Sequence, residues 1–292
     1  MQMRHIAIAG AWLAFVGCSL FVDTSGLDDG ADDASISDAS NDASNADVVS
    51  DSASGGDSSI NGDGGKICPS GIGANMVLVP GSGTTPSFCI DSIEATSADY
   101  SLFLETAPSL ASLPPECSFK SSFSSISSAG EVPANVDWCD AVGYCKYAGK
   151  RLCGKIGGGS NDFLAFADLT KSQWFYACTG GGQTSYPYGN SYNGALCNDA
   201  DWAEGGPLPA SSDPKCVGGF PGITAMAGNM WEWEDSCTPG DSGSPSGDSC
   251  RVRGGTWVDG QGVTACGFDY LQHFQPTRAE PDGYMGIRCC AD

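Results

Sequence analysis

The sequence predicts an α+β domain of irregular, loop-rich build, with few helices and short antiparallel strands. Glycine is abundant, at 41 of 292 residues, and charged residues make up only 16%, which leaves little material for long solvated helices. Apolar residues come in short runs closed by Pro and Gly rather than in extended helical stripes. The 15 cysteines point to a fold stapled by bridges outside the reducing cytosol.

The N-terminus carries the export signal. Arg4 and His5 precede an apolar run, Ile6 to Val16, that is too short to span a bilayer. The run ends in Phe15-Val16-Gly17-Cys18, which looks like a bacterial lipobox with Cys18 as the lipidated residue. An ordinary signal peptide cleaved nearby is the alternative. Residues 1–18 are therefore read as a lipoprotein signal peptide. Setting Cys18 aside leaves 14 cysteines, an even number that permits seven disulfides.

Residues 19–65 hold 11 Asp and no Lys or Arg. Their scarce apolar surface does not offset chain entropy, so they are read as a disordered tether. Calcium-binding repeats would need a fixed period, and none is present. The formal net charge of -22 excludes a nucleic-acid partner, because phosphate binding needs a basic surface. His5 and His273 are the sole histidines, which excludes a multi-histidine metal site.

The globular domain, 66–292, opens with Met76 to Pro80, a strand closed by a Pro-Gly turn, and Phe88 to Asp91 reads as its partner. Cys68 and Cys89 flank the pair and are placed to bridge it. Thr96 or Ser97 caps a helix bearing Tyr100, Phe103 and Leu104 on one face. Residues 106–135 lack periodicity and read as loop. Val136 to Gly149 is the clearest helix: Asp137 caps it, Trp138, Val142 and Cys145 form one stripe, and Gly149 ends it. Gly157-Gly158-Gly159 lacks the Lys-Ser/Thr of a phosphate loop and reads as a turn. Thr170-Lys171-Ser172-Gln173 is a capping box before Trp174, Phe175 and Cys178.

Short strands and loops follow. Tyr186 to Asn190 is an aromatic turn, Cys197 and Cys216 bracket a Pro-rich loop, and Cys237 and Cys250 close an Asp/Ser/Gly insertion. Arg251 to Trp257 reads as a strand reaching a Gly pair. The stretch Gly228-Asn229-Met230-Trp231-Glu232-Trp233 organises the whole. Gly228 and Asn229 tolerate positive φ, and alternation puts Trp231 and Trp233 on one face with Glu232 on the other. A carboxylate beside turn carbonyls suits a hard cation such as calcium. Burial of both tryptophans around a solvated Glu232 is the plainer alternative.

The ordered blocks MVLVPG, VDWCDAVGYCKYAGKRL, SQWFYAC, YPYGN, AMAGNMWEW, RVRGGTW and GIRC resemble the formylglycine-generating enzyme family, the sulfatase-modifying factor domain, over Lys66 to Asp292. A generic C-type lectin is the competing label. The resemblance implies a C-type-lectin-like fold of the sulfatase-modifying factor type. Oxidising members bind copper through two cysteines after a Gly-Gly-Ser element. Here that element is Gly254-Gly255-Thr256, and the two positions fall on Asp259 and Thr264, with Cys266 the nearest thiol. Cu(I) wants a thiolate pair, so copper is not expected and no catalytic residue is assigned.

The same resemblance implies two disulfides, Cys145–Cys289 and Cys178–Cys266. It also implies calcium ligands: Glu232 with the carbonyls of Gly228 and Met230, and a second set of Asn198 and Asp199 that Asp213 would complete. Ala225 stands where the first set expects Asn or Asp. Three functions remain in play: a surface-anchored module binding a protein, peptide or glycan; a formylglycine-type oxidase acting on a cysteine in a protein substrate; and a structural envelope lipoprotein. Tyr186, Tyr188, Trp202 and Trp257 are the candidate contacts, each with core packing as its alternative.

The expected location is extracytoplasmic, lipid-anchored through Cys18, with Ser19 compatible with transfer to the outer membrane. A Cys18→Ser variant is expected in the soluble fraction after cell lysis and ultracentrifugation. Its retention in membranes would remove the lipobox reading.

Overall fold

The computed structural model describes residues 66–292 apart from 127–129, 203–204, 213–214, 271–275 and 281–283. The chain divides into two units, Met1–Asp57 and Ser58–Asp292, and every described residue belongs to the second. The signal peptide, Cys18, the tether 19–65 and Asp213 lie outside the described residues.

Strands β1 (Met76–Val79) and β2 (Phe88–Asp91) pair antiparallel, with Val77 opposite Ile90. Cys68 is bonded to Cys89, which staples the segment before β1 to β2. Helix α1 (Ser97–Glu105) is capped by Thr96: its hydroxyl accepts from Asp99 N, and the Asp99 carboxylate accepts from Thr96 N. Tyr100 and Phe103 are buried on its inner face, while Leu104 is half-buried.

Helix α2 (Trp138–Tyr147) is capped as expected by Asp137, whose carboxylate accepts from Asp140 N. Trp138 and Cys145 are buried, but Val142 is half-buried, so the expected stripe is deepest at its two ends. Gly149 takes φ 72° and turns the chain into β3 (Arg151–Leu152). The preceding loop is not featureless: it holds 3-10 turns at Leu110–Ser112 and Pro115–Cys117, and Cys117 is bonded to Cys139.

Helix α3 (Gln173–Cys178) corrects the expected cap. Ser172, not Thr170, accepts from Phe175 N. Thr170 instead donates to Asp168, two residues earlier, and Gln173 Oε1 accepts from Gly154 N. The competing Asp168 turn draws Thr170 out of the cap position.

Two small sheets result. One has the order β1-β2-β7-β3, all antiparallel, where β7 is Cys289–Ala291. The other has the order β5-β4-β6, built from β4 (Trp231–Thr238), β5 (Ser249–Arg253) and β6 (Met285–Gly286). β4 and β5 are antiparallel with a register shift between Trp233 and Cys237, whereas β4 and β6 are parallel. β5 stops at Arg253 rather than reaching Trp257, because Gly254 and Gly255 adopt φ 90° and 77°.

The core forms two large clusters and a small third one of Cys197, Cys216 and Ala227. Tyr100, Phe103, Trp138, Tyr144, Trp231, Trp233 and Ile287 pack in one large cluster, and Phe88, Ile90, Trp174, Ile223 and Met226 in the other. Both faces of the Trp231–Trp233 segment are covered, so Glu232 is buried rather than solvated. β7 joins the clusters: Cys289 is bonded to Cys145 and Cys290 to Cys153. The remaining disulfides are Cys178–Cys266, Cys197–Cys216 and Cys237–Cys250. Among the described residues no helix is long and apolar enough to cross a membrane.

Cys178–Cys266 spans 88 residues, so opening it restores a large loop to the unfolded chain. The double variant Cys178→Ala/Cys266→Ala is expected to lose about 3–4 kcal/mol in urea denaturation. A loss below about 1 kcal/mol would show that packing, not the link, holds α3.

Candidate functional site

The site region lies where β4 and β5 enter and leave the second sheet. Before β4 the chain turns tightly through Ala225, Gly228 and Asn229, at φ 55°, 72° and 61°. Gly228 is obligatory, since a Cβ there would stand 2.2 Å from Asn198 O. After β5, Gly254 O accepts from Gly228 N at 2.9 Å and Asn229 O accepts from Trp257 N at 3.1 Å. The two turns therefore brace each other.

Thr256 and Asp259 close the loop after β5. Asp259 Oδ2 accepts from Thr256 N at 2.9 Å and from Thr256 Oγ1 at 2.8 Å. Thr264 is fully buried, and its hydroxyl donates to Gly260 O at 3.5 Å. Both positions where copper-binding cysteines were sought are thus engaged in local turn chemistry. Cys266 is bonded to Cys178 and buried, and Arg253 Nη2 donates to its carbonyl at 2.8 Å. The 14 cysteines of 66–292 are all in disulfides, so no thiol stands near this loop.

The calcium candidates separate into two places. Both Glu232 oxygens accept from Arg288 Nε at 2.9 Å, Arg288 Nη2 lies 2.7 Å from Oε1, and Trp174 Nε1 donates to Oε2 at 2.6 Å. Arg288 also donates to the carbonyls of Asp91, Thr224 and Ala225. A guanidinium thus already serves the oxygens that a cation would need, so the Glu232 set with Gly228 and Met230 does not fit calcium as arranged. Asn198 Nδ2 donates to Gly206 O and to Asn229 Oδ1. Asp199 Oδ1 accepts from Asp201 N, and the Tyr192 hydroxyl lies within hydrogen-bonding reach of the same carboxylate. The Asp199 carboxylate, which no arginine or lysine claims among the described residues, is the feature of the second set that suits a hard cation.

Sequence reasoning missed Glu94. It is fully buried, its Oε2 accepts from Asn229 Nδ2 at 2.7 Å, and its Oε1 accepts from Met230 N at 3.3 Å. Burial and the nearby Glu232 charge push its carboxyl up to about 8, against the opposing pull of Arg288. No periodic or motif signal marks it; only the Asn229 turn, 135 residues away, gives it a role.

The aromatic candidates are less exposed than expected. Tyr186 is only 8% exposed, because it stacks on Tyr188 with centroids 5.5 Å apart. Tyr188, Trp202 and Trp257 are half-buried. Trp257 meets Tyr284 edge-on at 5.9 Å, and Ala200 N donates to Asp259 O, which brings the Tyr186–Trp202 segment against the Thr256–Asp259 loop.

The sulfatase-modifying factor enzyme 1-like domain family matches residues 69–292. The chain belongs to this family. It is 27% identical over 186 residues to the formylglycine-generating enzyme of Bos taurus, covering 54% of this chain and 43% of that one. It is 32% identical over 145 residues to the inactive C-alpha-formylglycine-generating enzyme 2 of Mus musculus, covering 44% and 39%. It is 24% identical to the hercynine oxygenase of Mycolicibacterium smegmatis over 56% of this chain and 38% of that one. The matches thus span less than half the length of these relatives. The structure of PvdO from Pseudomonas aeruginosa superposes with a TM-score of 0.47 at 16% identity, covering 75% of this chain and 92% of that one.

Glu94 has its proton affinity raised by folding. Its contribution to stability is fully present below the unfolded carboxyl range and is lost as pH rises through the folded value of about 8. The wild type is therefore expected to lose about 4 kcal/mol between pH 5 and pH 8.5 relative to Glu94→Gln. Urea titrations of both proteins across that range check this; parallel pH profiles would assign the slope elsewhere.

Proposed function

We propose that the chain is a non-catalytic, disulfide-rich member of the sulfatase-modifying factor family. It presents the surface around the Thr256–Asp259 loop to an extracytoplasmic protein, peptide or glycan. The observation that carries this reading is the state of the cysteines. The positions that hold copper in oxidising relatives of this resemblance are Asp259 and Thr264, and every cysteine of 66–292 is already bonded. Cu(I) chemistry at a thiolate pair has no donors there. The relatives include both a formylglycine-generating enzyme and an inactive formylglycine-generating enzyme 2, so the reading rests on the cysteines.

Trp257, Tyr284, Tyr188 and Trp202 supply half-exposed aromatic area beside Asp199 and Asp201. Aromatic faces with adjacent carboxylates suit sugar rings and peptide side chains alike. A cation at Asn198 and Asp199, rather than at Glu232, is part of the proposal. Seven disulfides support an oxidising compartment, and lipid on Cys18 would tether the domain to the outer membrane.

Full-length protein loaded with Cu(I) is expected to convert none of a cysteine-containing peptide to the aldehyde, as read by mass spectrometry against a protein-free control. Copper-dependent turnover would establish the oxidase reading instead.

A further inference from the structure

Lys120 is buried between two carboxylates at the N-terminus of α2. Its ammonium lies 2.5 Å from Asp137 Oδ2 and 2.8 Å from Asp140 Oδ1, and the three side chains are only 7%, 6% and 0% exposed. Among the described residues no other cation pairs with either acid, so the trio holds an excess negative charge out of water. Burial first, and the Asp137 charge second, raise the Asp140 carboxyl above the usual carboxylate range, against the pull of Lys120 and Ser124. The surroundings are apolar: Tyr100 and Trp138 are core residues, and Phe119 and Phe123 pack against their cluster. The Cys117–Cys139 bridge clamps the Lys120 segment onto the start of α2, three residues before the lysine and two after Asp137.

We propose that Lys120 and Asp137 condense into an intramolecular amide (an isopeptide bond), with Asp140 as the acid–base that moves the protons. The geometry supplies each part the reaction needs. The nucleophilic nitrogen is held against the carboxylate it attacks. The other oxygen of that carboxylate, Asp137 Oδ1, accepts from Asp140 N at 3.0 Å in the first turn of α2. Negative charge developing on Oδ1 therefore meets a fixed backbone donor and the positive end of a helix. The second carboxylate touches the same ammonium and is the one whose proton affinity is raised. Lys150–Asp91 is the internal contrast. It is as buried and almost as close, at 2.6 Å, and Cys289 N donates to the other Asp91 oxygen. Among the described residues, however, no second carboxylate lies within ion-pair distance of Lys150, so that pair lacks the proton carrier and stays ionic.

In the first step Asp140 takes a proton from the Lys120 ammonium and frees its lone pair. Nζ then bonds to Asp137 Cγ, and the charge collects on Oδ1. The nitrogen gives up a second proton, the Cγ–Oδ2 bond breaks, and Oδ2 leaves with both protons as water. One ammonium and one carboxylate become one amide and one water, with no electron transfer and no co-reactant. Condensation is uphill for free groups in water, but fixed neighbours reach effective molarities of about 10⁵–10⁸ M. The product also removes two charges from a dry interior. The amide oxygen, Oδ1, remains the acceptor of Asp140 N, so the helix keeps its cap. The site is independent of the Thr256–Asp259 surface and of the family's copper chemistry.

The test uses the purified full-length chain, denatured, reduced and acetylated at its free amines before digestion. Cleavage after glutamate cuts at Glu116 and Glu131, so Lys120 and Asp137 fall in separate peptides unless they are joined. Mass spectrometry of the wild type is expected to find the two peptides joined, lighter by one water than their sum, with Lys150 acetylated. Fragmentation is expected to place the link between Lys120 and Asp137. Asp140→Asn keeps the shape of the side chain but carries no proton, and is expected to slow linking about a hundredfold, read from the linked fraction over time. Separate peptides with an acetylated Lys120 in the wild type would overturn the proposal, whatever the variant does. A link made to Asp140, or an Asp140→Asn chain that links as fast as wild type, would overturn the assigned roles.

Discussion

The buried ion pair between Arg288 and Glu232 is the contact on which the arrangement depends. Arg288 is 0% exposed and Glu232 1%, and neither charge reaches water. One guanidinium binds the carboxylate of β4, the carbonyl that ends β2, and two carbonyls of the turn that leads to Gly228. Trp174 of α3 completes the carboxylate. Removing one partner of such a pair costs about 3–5 kcal/mol, because it strands the other charge in a dry interior. The two sheets and the turn that shapes the site are thus held by a single planar cation. Asp91, beside it, is held by Lys150 at 2.6 Å and by Cys289 N at 3.1 Å, which extends the same polar seam to β7.

Much of the fold was legible because its signals are local. Asp137, Thr96 and Gly149 act within a few residues of themselves, and the β1–β2 pair is a hairpin with a cross-link at its edge. The turn at Gly228 and Asn229 was legible for the same reason. What stayed hidden is long-range and polar. Arg288 meets Asp91 across 197 residues, and Glu94 meets Asn229 across 135, and neither spacing leaves a pattern in the chain. Glu232 shows the cost of local reading: its neighbours predict a turn-facing carboxylate, and only tertiary packing supplies the arginine that claims both of its oxygens.

The site loop follows the same division. Thr256 and Asp259 make a short side-chain-to-backbone turn that any Thr-x-x-Asp is apt to form, so its shape was within reach of the sequence. That Ala200 N docks on Asp259 O, bringing an aromatic segment alongside, depends on how the Cys197–Cys216 loop is folded back. Local chemistry built each half of this surface, and the packing of Gly228 against Asn198 O joined them.

The adjacent cysteines of β7 carry a consequence for assembly. Successive side chains of a strand point to opposite sides, so Cys289 reaches only toward α2 and Cys290 only toward Cys153. The pleat acts as a sorting device: exchanging the two partners would require the strand to slip by one residue and turn each sulfur away from its layer. Each cluster also has a bridge of its own, Cys117–Cys139 in one and Cys178–Cys266 in the other, but only this short peptide bonds to both of them. Two adjacent residues thus tie helix α2 and the Cys153 segment to one strand, each on its own side of the sheet.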